Sequence, residues 1–226
     1  MNVLITGSSN GLGRCLARKF ARDYGKIILH GRKEAQLTQF RDLLNEDYGT
    51  QADMVIGDIR EEETLLALYT AAVRNKIDVL INNAGVYVYG DPTKTTLADM
   101  DSVITTNMIA PMRLTLLVYP IMVAKGKGLI VNINSLAGKT LNDKEAVYCA
   151  SKHGLRGFMG SFRHEARKHG VDVLDVYLGA MQTEMMLGRP GYDGMMDPDE
   201  VADVIAGLCR DSYDSLRVNE IEIGRL

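Results

Sequence analysis

Thr6-Gly7-Ser8-Ser9-Asn10-Gly11-Leu12-Gly13 joins two segments of different period, and that junction decides how the chain folds. Before it, Asn2–Thr6 is a short apolar run ending at a glycine, the pattern of a strand covered on both faces. After it, from Gly11 to about Tyr24, Leu12, Leu16, Ala17 and Phe20 recur at helical spacing. Glycines at such a junction permit a tight turn and let backbone N–H groups approach phosphate oxygens, while the helix start adds a positive dipole end. Gly7, Ser9, Asn10, Gly11, Leu12 and Gly13 are thus candidate contacts for a pyrophosphate. The spacing Gly-x-x-x-Gly-x-Gly differs from the Gly-x-Gly-x-x-Gly of the long dinucleotide fingerprint, and the Lys-Ser/Thr of a nucleoside-triphosphate loop is missing. The plain alternative is a glycine-rich turn with no ligand.

From this loop the chain alternates strand and helix to its end. Strands are predicted at Lys26–His30, Ala52–Gly57, Ile77–Asn82, Gly128–Asn134, Val171–Tyr177 and Arg217–Ile223. Helices are predicted at Arg32–Tyr48, Glu61–Asn75, Leu97–Lys125 with a bend near Pro111, Ala146–Lys168 and Pro198–Arg210. Such alternation implies right-handed crossovers and an α/β fold: one doubly wound, mostly parallel sheet of the Rossmann kind, forming a single domain over 1–226. Ligands of such sheets sit outside the carboxyl ends of the strands, so the informative residues are expected in the loops after them.

The totals agree with a soluble enzyme-sized domain. Of 226 residues, 46% are hydrophobic and 24% charged, and the net charge of −3 offers no basic footprint for nucleic acid or an anionic membrane. No unbroken apolar run of about 18 residues occurs, and a strand beginning at Asn2 leaves no room for a signal peptide. Three scattered cysteines (Cys15, Cys149, Cys209) fit reduced thiols in a cytoplasmic protein, and neither they nor the four histidines have metal-ligand spacing.

Two further loops carry chemistry. The second strand ends in His30-Gly31-Arg32-Lys33, with two cations where a carboxylate would read a ribose 2′-hydroxyl. Arg32 can fork onto a 2′-phosphate, so NADP(H) is favoured, with NAD(H) as the alternative. The blander reading makes Arg32 and Lys33 the start of a solvated helix. Tyr148 and Lys152, at i and i+4, share one face of a helix near its start. A tyrosine is a poor acid–base group at its ordinary pKa near 10; an adjacent ammonium, joined by an oxidised nicotinamide, would lower that by about 1–3 units. Alone the Tyr-x-x-x-Lys spacing is common, but here it follows Ser135, expected just past the fifth strand on the same rim as the glycine loop.

Together these features resemble the compact type of the short-chain dehydrogenase/reductase family, over essentially the whole chain. The resemblance is carried by the Thr6–Gly13 loop, Asp58, Asn82-Asn83-Ala84-Gly85, Asn107, Ser135, and Tyr148 with Lys152, in order and at the right intervals. It implies an NADP(H)-dependent oxidoreductase that reduces a ketone or aldehyde, or oxidises the alcohol, by hydride transfer. Tyr148 would be the acid–base residue and Ser135 a hydrogen-bond partner of the substrate oxygen. Lys152 would lower the tyrosine pKa and hold the nicotinamide ribose. Asn107 would keep a kink in its helix and position a water linking Lys152 to solvent. Asp58 and Ile59 would border the adenine, Asn83, Ala84 and Gly85 the adenosine ribose side, and Gly179, Met181 and Thr183 the nicotinamide pocket. A homodimer or homotetramer through the Leu97–Lys125 and Ala146–Lys168 helices is implied too.

The chain departs from the family pattern in three places. Leu178-Gly179 replaces the usual Pro-Gly, Asn10 stands where NADP-binding members often carry a basic residue, and the sequence ends at Leu226 without the tail of many members. Met181–Met196 holds five methionines and reads either as a mobile lid over a partly apolar substrate or as ordinary gap-filling. Lys139–Glu145 reads as a solvated rim in preference to a pocket wall. Gly154, Gly157 and Gly160 imply close approach to another helix or to the chain's own sheet. A catalytically idle NADP(H)-binding sensor or scaffold is the competing function, against which every expected catalytic position is filled. An epimerase of the longer type would need a different glycine spacing and a substantial C-terminal substrate region.

Overall fold

The computed structural model describes residues 1–23, 25–210 and 217–225. Seven parallel strands form one sheet: β1 Asn2–Ile5, β2 Lys26–Gly31, β3 Gln51–Ile56, β4 Val79–Asn82, β5 Gly128–Ser135, β6 Val171–Leu178 and β7 Glu220–Ile223. Their spatial order is β3-β2-β1-β4-β5-β6-β7, so the crossover direction reverses between β1 and β4. Helices α1 Gly11–Asp23, α2 Glu34–Tyr48, α3 Glu62–Arg74, α4 Leu97–Ile104, α5 Ala110–Lys125, α6 Ala146–Arg167 and α7 Pro198–Arg210 fill the crossovers. Tyr24, the expected end of the first helix, and Leu226 lie outside the described residues.

Because neighbouring strand residues point to opposite faces, each central strand feeds two cores. Val3 and Ile5 pack with Leu16 and Phe20 of α1, Phe40 of α2 and Ile205 of α7. Leu4 packs on the other side with Leu68 of α3, Leu114 and Val118 of α5, and Met159 of α6. The continuous apolar runs of β1, β2 and β4 are therefore what a sheet buried on both faces requires.

Several expected boundaries shift for local reasons. Arg32 and Lys33 precede α2 instead of opening it: Lys33 is extended and its carbonyl receives the Leu37 N–H, so helical geometry begins at Glu34. Ser135 is the last residue of β5 rather than the first beyond it, paired with Leu178 of β6. The last strand begins at Glu220, not Arg217, opposite Asp175. The bend expected at Pro111 lies earlier, as a π turn over Thr105–Ile109 in which the Ala110 N–H reaches back to Thr105. Pro111 has no N–H to give the Asn107 carbonyl, which removes one α-helical bond where the wider turn forms. By length and composition this Leu97–Lys125 stretch is apolar enough to cross a membrane, despite lacking an unbroken apolar run. Here Ala110, Leu114, Val118 and Met122 lie in the core. Close approach explains only one glycine of α6: a Cβ on Gly154 would strike Met108 Sδ of the π turn, whereas Gly157 and Gly160 face open space.

The α6 side of the sheet also buries a polar row. Asn82, Asn132 and Asp175 occupy adjacent register positions on β4, β5 and β6. Asn82 donates to Thr115 Oγ1 (3.1 Å) and Asn132 Oδ1 (2.9 Å), and Asn132 donates to Asp175 Oδ1 (3.0 Å). Arg163 of α6 closes the row on Asp175 Oδ2 at 2.5 Å. Burial pushes the Asp175 carboxyl up to about 6, although Arg163 and Asn132 favour its charged form. Removing one partner of a buried ion pair typically costs about 3–5 kcal/mol. Arg163→Met is therefore expected to lower unfolding free energy by about that amount in urea titration, and adding Asp175→Asn to recover most of the loss. An Arg163→Met protein as stable as wild type would show that the pair does not hold α6 to the sheet.

Candidate functional site

Where the crossover direction reverses, the loops after β1 and β4 part, and a polar clasp fixes their separation. Thr6 Oγ1 accepts the N–H groups of Asn83 and Ala84, both at 3.0 Å, while Asn83 Nδ2 donates to the carbonyls of Thr6 (2.8 Å) and Gly7 (3.0 Å). The contact leaves no room for side chains at two glycines. A Cβ on Gly7, whose φ is +66°, would stand 2.8 Å from Ala84 Cα, and one on Gly13 would stand 2.3 Å from the Gly7 carbonyl oxygen.

His30, named in the sequence only as part of a strand end, locks this loop to the sheet. Its Nδ1 accepts the Gly7 N–H (3.2 Å), its carbonyl takes the Ser8 N–H (2.8 Å), and its Nε2 faces the Gly57 carbonyl (3.2 Å). One ring nitrogen thus accepts and the other donates, which requires the neutral imidazole. Burial brings its pKa down to about 4. No sequence pattern announces a histidine that joins segments 23 residues and 27 residues away.

A cavity of about 840 Å³ opens over this clasp at the carboxyl ends of the strands. Gly7, Ser9, Asn10, Gly11, Leu12 and Gly13 line its floor, Arg32, Lys33, Asp58 and Ile59 one end, and Asn83, Ala84 and Gly85 the middle. Ser135, Tyr148 and Lys152 line the other end, with Gly179, Met181 and Thr183 above them. Asn107 stands outside the lining. Its Oδ1 accepts the Val86 N–H (2.9 Å), and its Nδ2 donates to the Val86 carbonyl (2.8 Å) and Ser151 Oγ (3.2 Å), tying the β4 loop to α6.

Tyr148 comes from the first turn of α6, with Lys152 one turn on and its ammonium 5.7 Å from the Tyr148 ring centre. The lysine is only 6% exposed and donates to the Ile133 carbonyl at 3.0 Å. Burial brings it down to about 8. The expected lowering of the phenol supposes an oxidised nicotinamide beside it; the protein's own groups act in the opposite direction. Loss of solvent dominates and pushes Tyr148 up to about 12; the Ser135 hydroxyl opposes that rise, and the Glu145 charge adds to it. Tyr148 is consequently a neutral phenol, the form that can give a proton.

The adenosine end has an unforeseen feature: Asp58 is gripped by Arg60 through Nε (3.0 Å) and Nη2 (2.8 Å), which holds its carboxyl below the usual range. Arg60 and Gln36 line the cavity beside Arg32. Within Met181–Met196, Met181 and Met196 pair in a parallel bridge and pack against the core, while Met185 and Met186 reach the cavity. Glu184 meets Asn10 Nδ2 at 2.6 Å, bringing the segment down on the glycine loop. Lys139–Glu145 is a largely solvated rim that also borders the cavity: residues 140–144 are exposed, while Thr140, Asn142 and Glu145 contribute to the lining.

The residues present suit a dinucleotide with a phosphorylated adenosine ribose. The glycine cradle admits backbone only, and the buried Ser9 hydroxyl, beside Gly31 and on the cavity wall, has no hydrogen-bond partner among the described residues.

Comparison with known proteins gives a consistent result. The family model described as short chain dehydrogenase matches residues 1–189. The ketoacyl reductase HetN of Nostoc is 34% identical over 225 residues, covering 96% of this chain and 78% of the relative. Sulfoacetaldehyde reductase 2 of Chromohalobacter salexigens is 33% identical over 195 residues, covering 84% and 77%. The short-chain dehydrogenase from Sphingobium yanoikuyae, solved in complex with NADPH, superposes with a TM-score of 0.88 at 30% identity, covering 98% of this chain and 87% of that one.

The His30 lock predicts a pH signature. A histidine whose pKa falls from 6.5 to about 4 on folding binds fewer protons folded than unfolded between those values, so its contribution is complete above about pH 6.5 and is lost as pH falls toward 4. The difference amounts to about 3 kcal/mol. Chemical denaturation from pH 4 to 7 should show this slope diminished in His30→Asn relative to wild type; identical slopes would mean that the ring is solvated.

Proposed function

The chain belongs to the short chain dehydrogenase family, and from that premise we propose that it is an NADP(H)-dependent reductase of ketones or aldehydes, working as one unit across 1–226. The observation that carries this reading is the convergence of Ser135, Tyr148 and Lys152 with the glycine cradle on one cavity. The bound cofactor would supply the hydride. Ser9 to Gly13 would hold its pyrophosphate through backbone N–H groups and the start of α1, with Gly7, its own N–H taken by His30, leaving room for the approach. Arg32, Lys33 and the Ser9 hydroxyl, which has no partner among the described residues, would receive the 2′-phosphate; the NADPH complex of the Sphingobium relative supports this choice over NAD(H).

Ser135 and Tyr148 donate hydrogen bonds to the substrate carbonyl, and Tyr148 gives up its proton as the oxygen becomes an alkoxide. Lys152, fixed on the Ile133 carbonyl, places a positive charge near the phenolate that results. Asn107 acts through others, holding Val86 and Ser151 so that the β4 loop and α6 keep their spacing. A homodimer or homotetramer through the Leu97–Lys125 and Ala146–Lys168 helices belongs to the same reading.

Tyr148→Phe should lower ketone-dependent NADPH oxidation by about 10²–10⁴-fold, the usual worth of a positioned acid. Unchanged turnover eliminates the mechanism, and a folded wild type that binds NADPH yet reduces no carbonyl in a broad panel favours an idle binder. Arg32→Asp should move kcat/KM preference toward NADH; an unaltered ratio of the two cofactors would mean that the 2′-phosphate is read elsewhere.

A further inference from the structure

One charged group in the reacting end of the cavity is not used by the chemistry above. Glu145 is half-buried and lines the cavity together with Tyr148 and Ser135. It stands at the start of α6, where a carboxylate ordinarily accepts N–H groups of the first turn, but it makes no such capping bond. Its two oxygens turn to the pocket wall instead. Oε1 accepts the Tyr87 hydroxyl and Oε2 accepts Asn142 Nδ2 at 2.8 Å. Tyr87 in turn lies edge-on to the Tyr148 ring, centres 4.8 Å apart.

The surrounding chain is shaped to hold this arrangement. Lys144, in the left-handed region at φ +63°, gives its carbonyl to the Gly90 N–H (3.1 Å), which joins the Glu145 segment to the Tyr87 loop. Two cations lie nearby on aromatic rings: Arg189 is 3.4 Å from the Tyr89 ring centre and 5.5 Å from that of Tyr87, and Lys144 is 6.0 Å from the Tyr89 ring centre. Among the described residues neither forms an ion pair with Glu145. With one donor on each oxygen, the carboxylate retains acceptor capacity at the cavity lining.

We propose that Glu145 is the specificity-determining residue of this pocket, selecting carbonyl substrates with a hydroxyl donor on the carbon next to the carbonyl and rejecting those with a carboxylate there. The proposal rests on the reading of Tyr148 as the acid that faces the substrate oxygen. A hydroxyl beside the reacting carbonyl donates to a free lone pair of Glu145 while Tyr148 and Ser135 hold the carbonyl. A substrate carboxylate in the same place meets a like charge in a partly desolvated site and brings no donor for the remaining lone pairs of Glu145.

The test takes the ketone skeleton that the enzyme reduces fastest and compares kcat/KM for three forms, bearing CH2OH, CH3 or COO⁻ beside the carbonyl. Wild type should rank them in that order. Glu145→Gln should shrink the ratio of hydroxymethyl to carboxylate rates at least tenfold, chiefly through KM, with melting temperature and NADPH fluorescence titration confirming a folded, cofactor-competent protein. Should that variant not fold, Tyr87→Phe keeps the charge while freeing a lone pair, and its ratio should equal or exceed that of wild type. A wild type that prefers the carboxylate form, an unaltered ratio in Glu145→Gln, or a collapsed ratio in Tyr87→Phe overturns the proposal. Failure of the underlying reading looks different: no ketone is reduced, or Tyr148→Phe reduces all three forms as fast as wild type.

Discussion

The clasp between Thr6 and Asn83 is the constraint on which the rest of the molecule depends. A parallel sheet whose crossovers reverse direction must open a crevice at the reversal, because the two loops there leave toward opposite faces. Left alone, such loops would carry unpaired backbone groups at variable distance. Thr6 Oγ1 and Asn83 Nδ2 saturate those groups across the gap. The glycines then follow as a steric consequence, since Gly7 and Gly13 sit where the clasp brings backbone against backbone. His30 adds a third anchor, from β2, and its neutrality is a condition of its dual bonding.

Desolvation governs the other end of the cavity. Lys152 and Tyr148 come from successive turns of one helix, yet the strongest influence on each is burial rather than the other's presence. Burial disfavours both charged forms, lowering the ammonium to about 8 and raising the phenol to about 12. The two groups, ordinarily close in proton affinity, are thus driven apart, and the phenol holds its proton more firmly than the ammonium does. Glu145 adds negative potential to the same end, so one side chain both tunes the phenol and shapes the substrate face.

The polar row Asn82–Asn132–Asp175–Arg163 shows how a helix can be registered against an otherwise apolar sheet. An all-apolar face would let α6 slide with small penalty, whereas a buried carboxylate that must meet one guanidinium specifies one position. That position also sets Tyr148 and Lys152, fifteen and eleven residues earlier on the same helix, over the end of β5. Stability and site geometry therefore share a helix.

Much of this architecture was legible before folding was considered. Apolar runs such as Val3-Leu4-Ile5 and the spacing of Leu12, Leu16 and Phe20 reveal strand and helix because burial on two faces or one leaves that periodic trace. The glycine spacing and the Tyr148–Lys152 interval were legible because each meets a local demand, backbone approach in one and a shared helix face in the other. Boundaries at Ser135 and Glu220 were not, since they depend on strand pairing with residues elsewhere in the chain. Tyr87 and Glu145 lie 58 residues apart, and nothing local marks them as partners. The direction of the Tyr148 pKa was likewise decided only by the tertiary structure. The sequence by itself determined the order of elements and the inventory of chemical groups, which follow from local pattern; packing decided which groups lose water and which meet, because both depend on distances that only the folded chain creates.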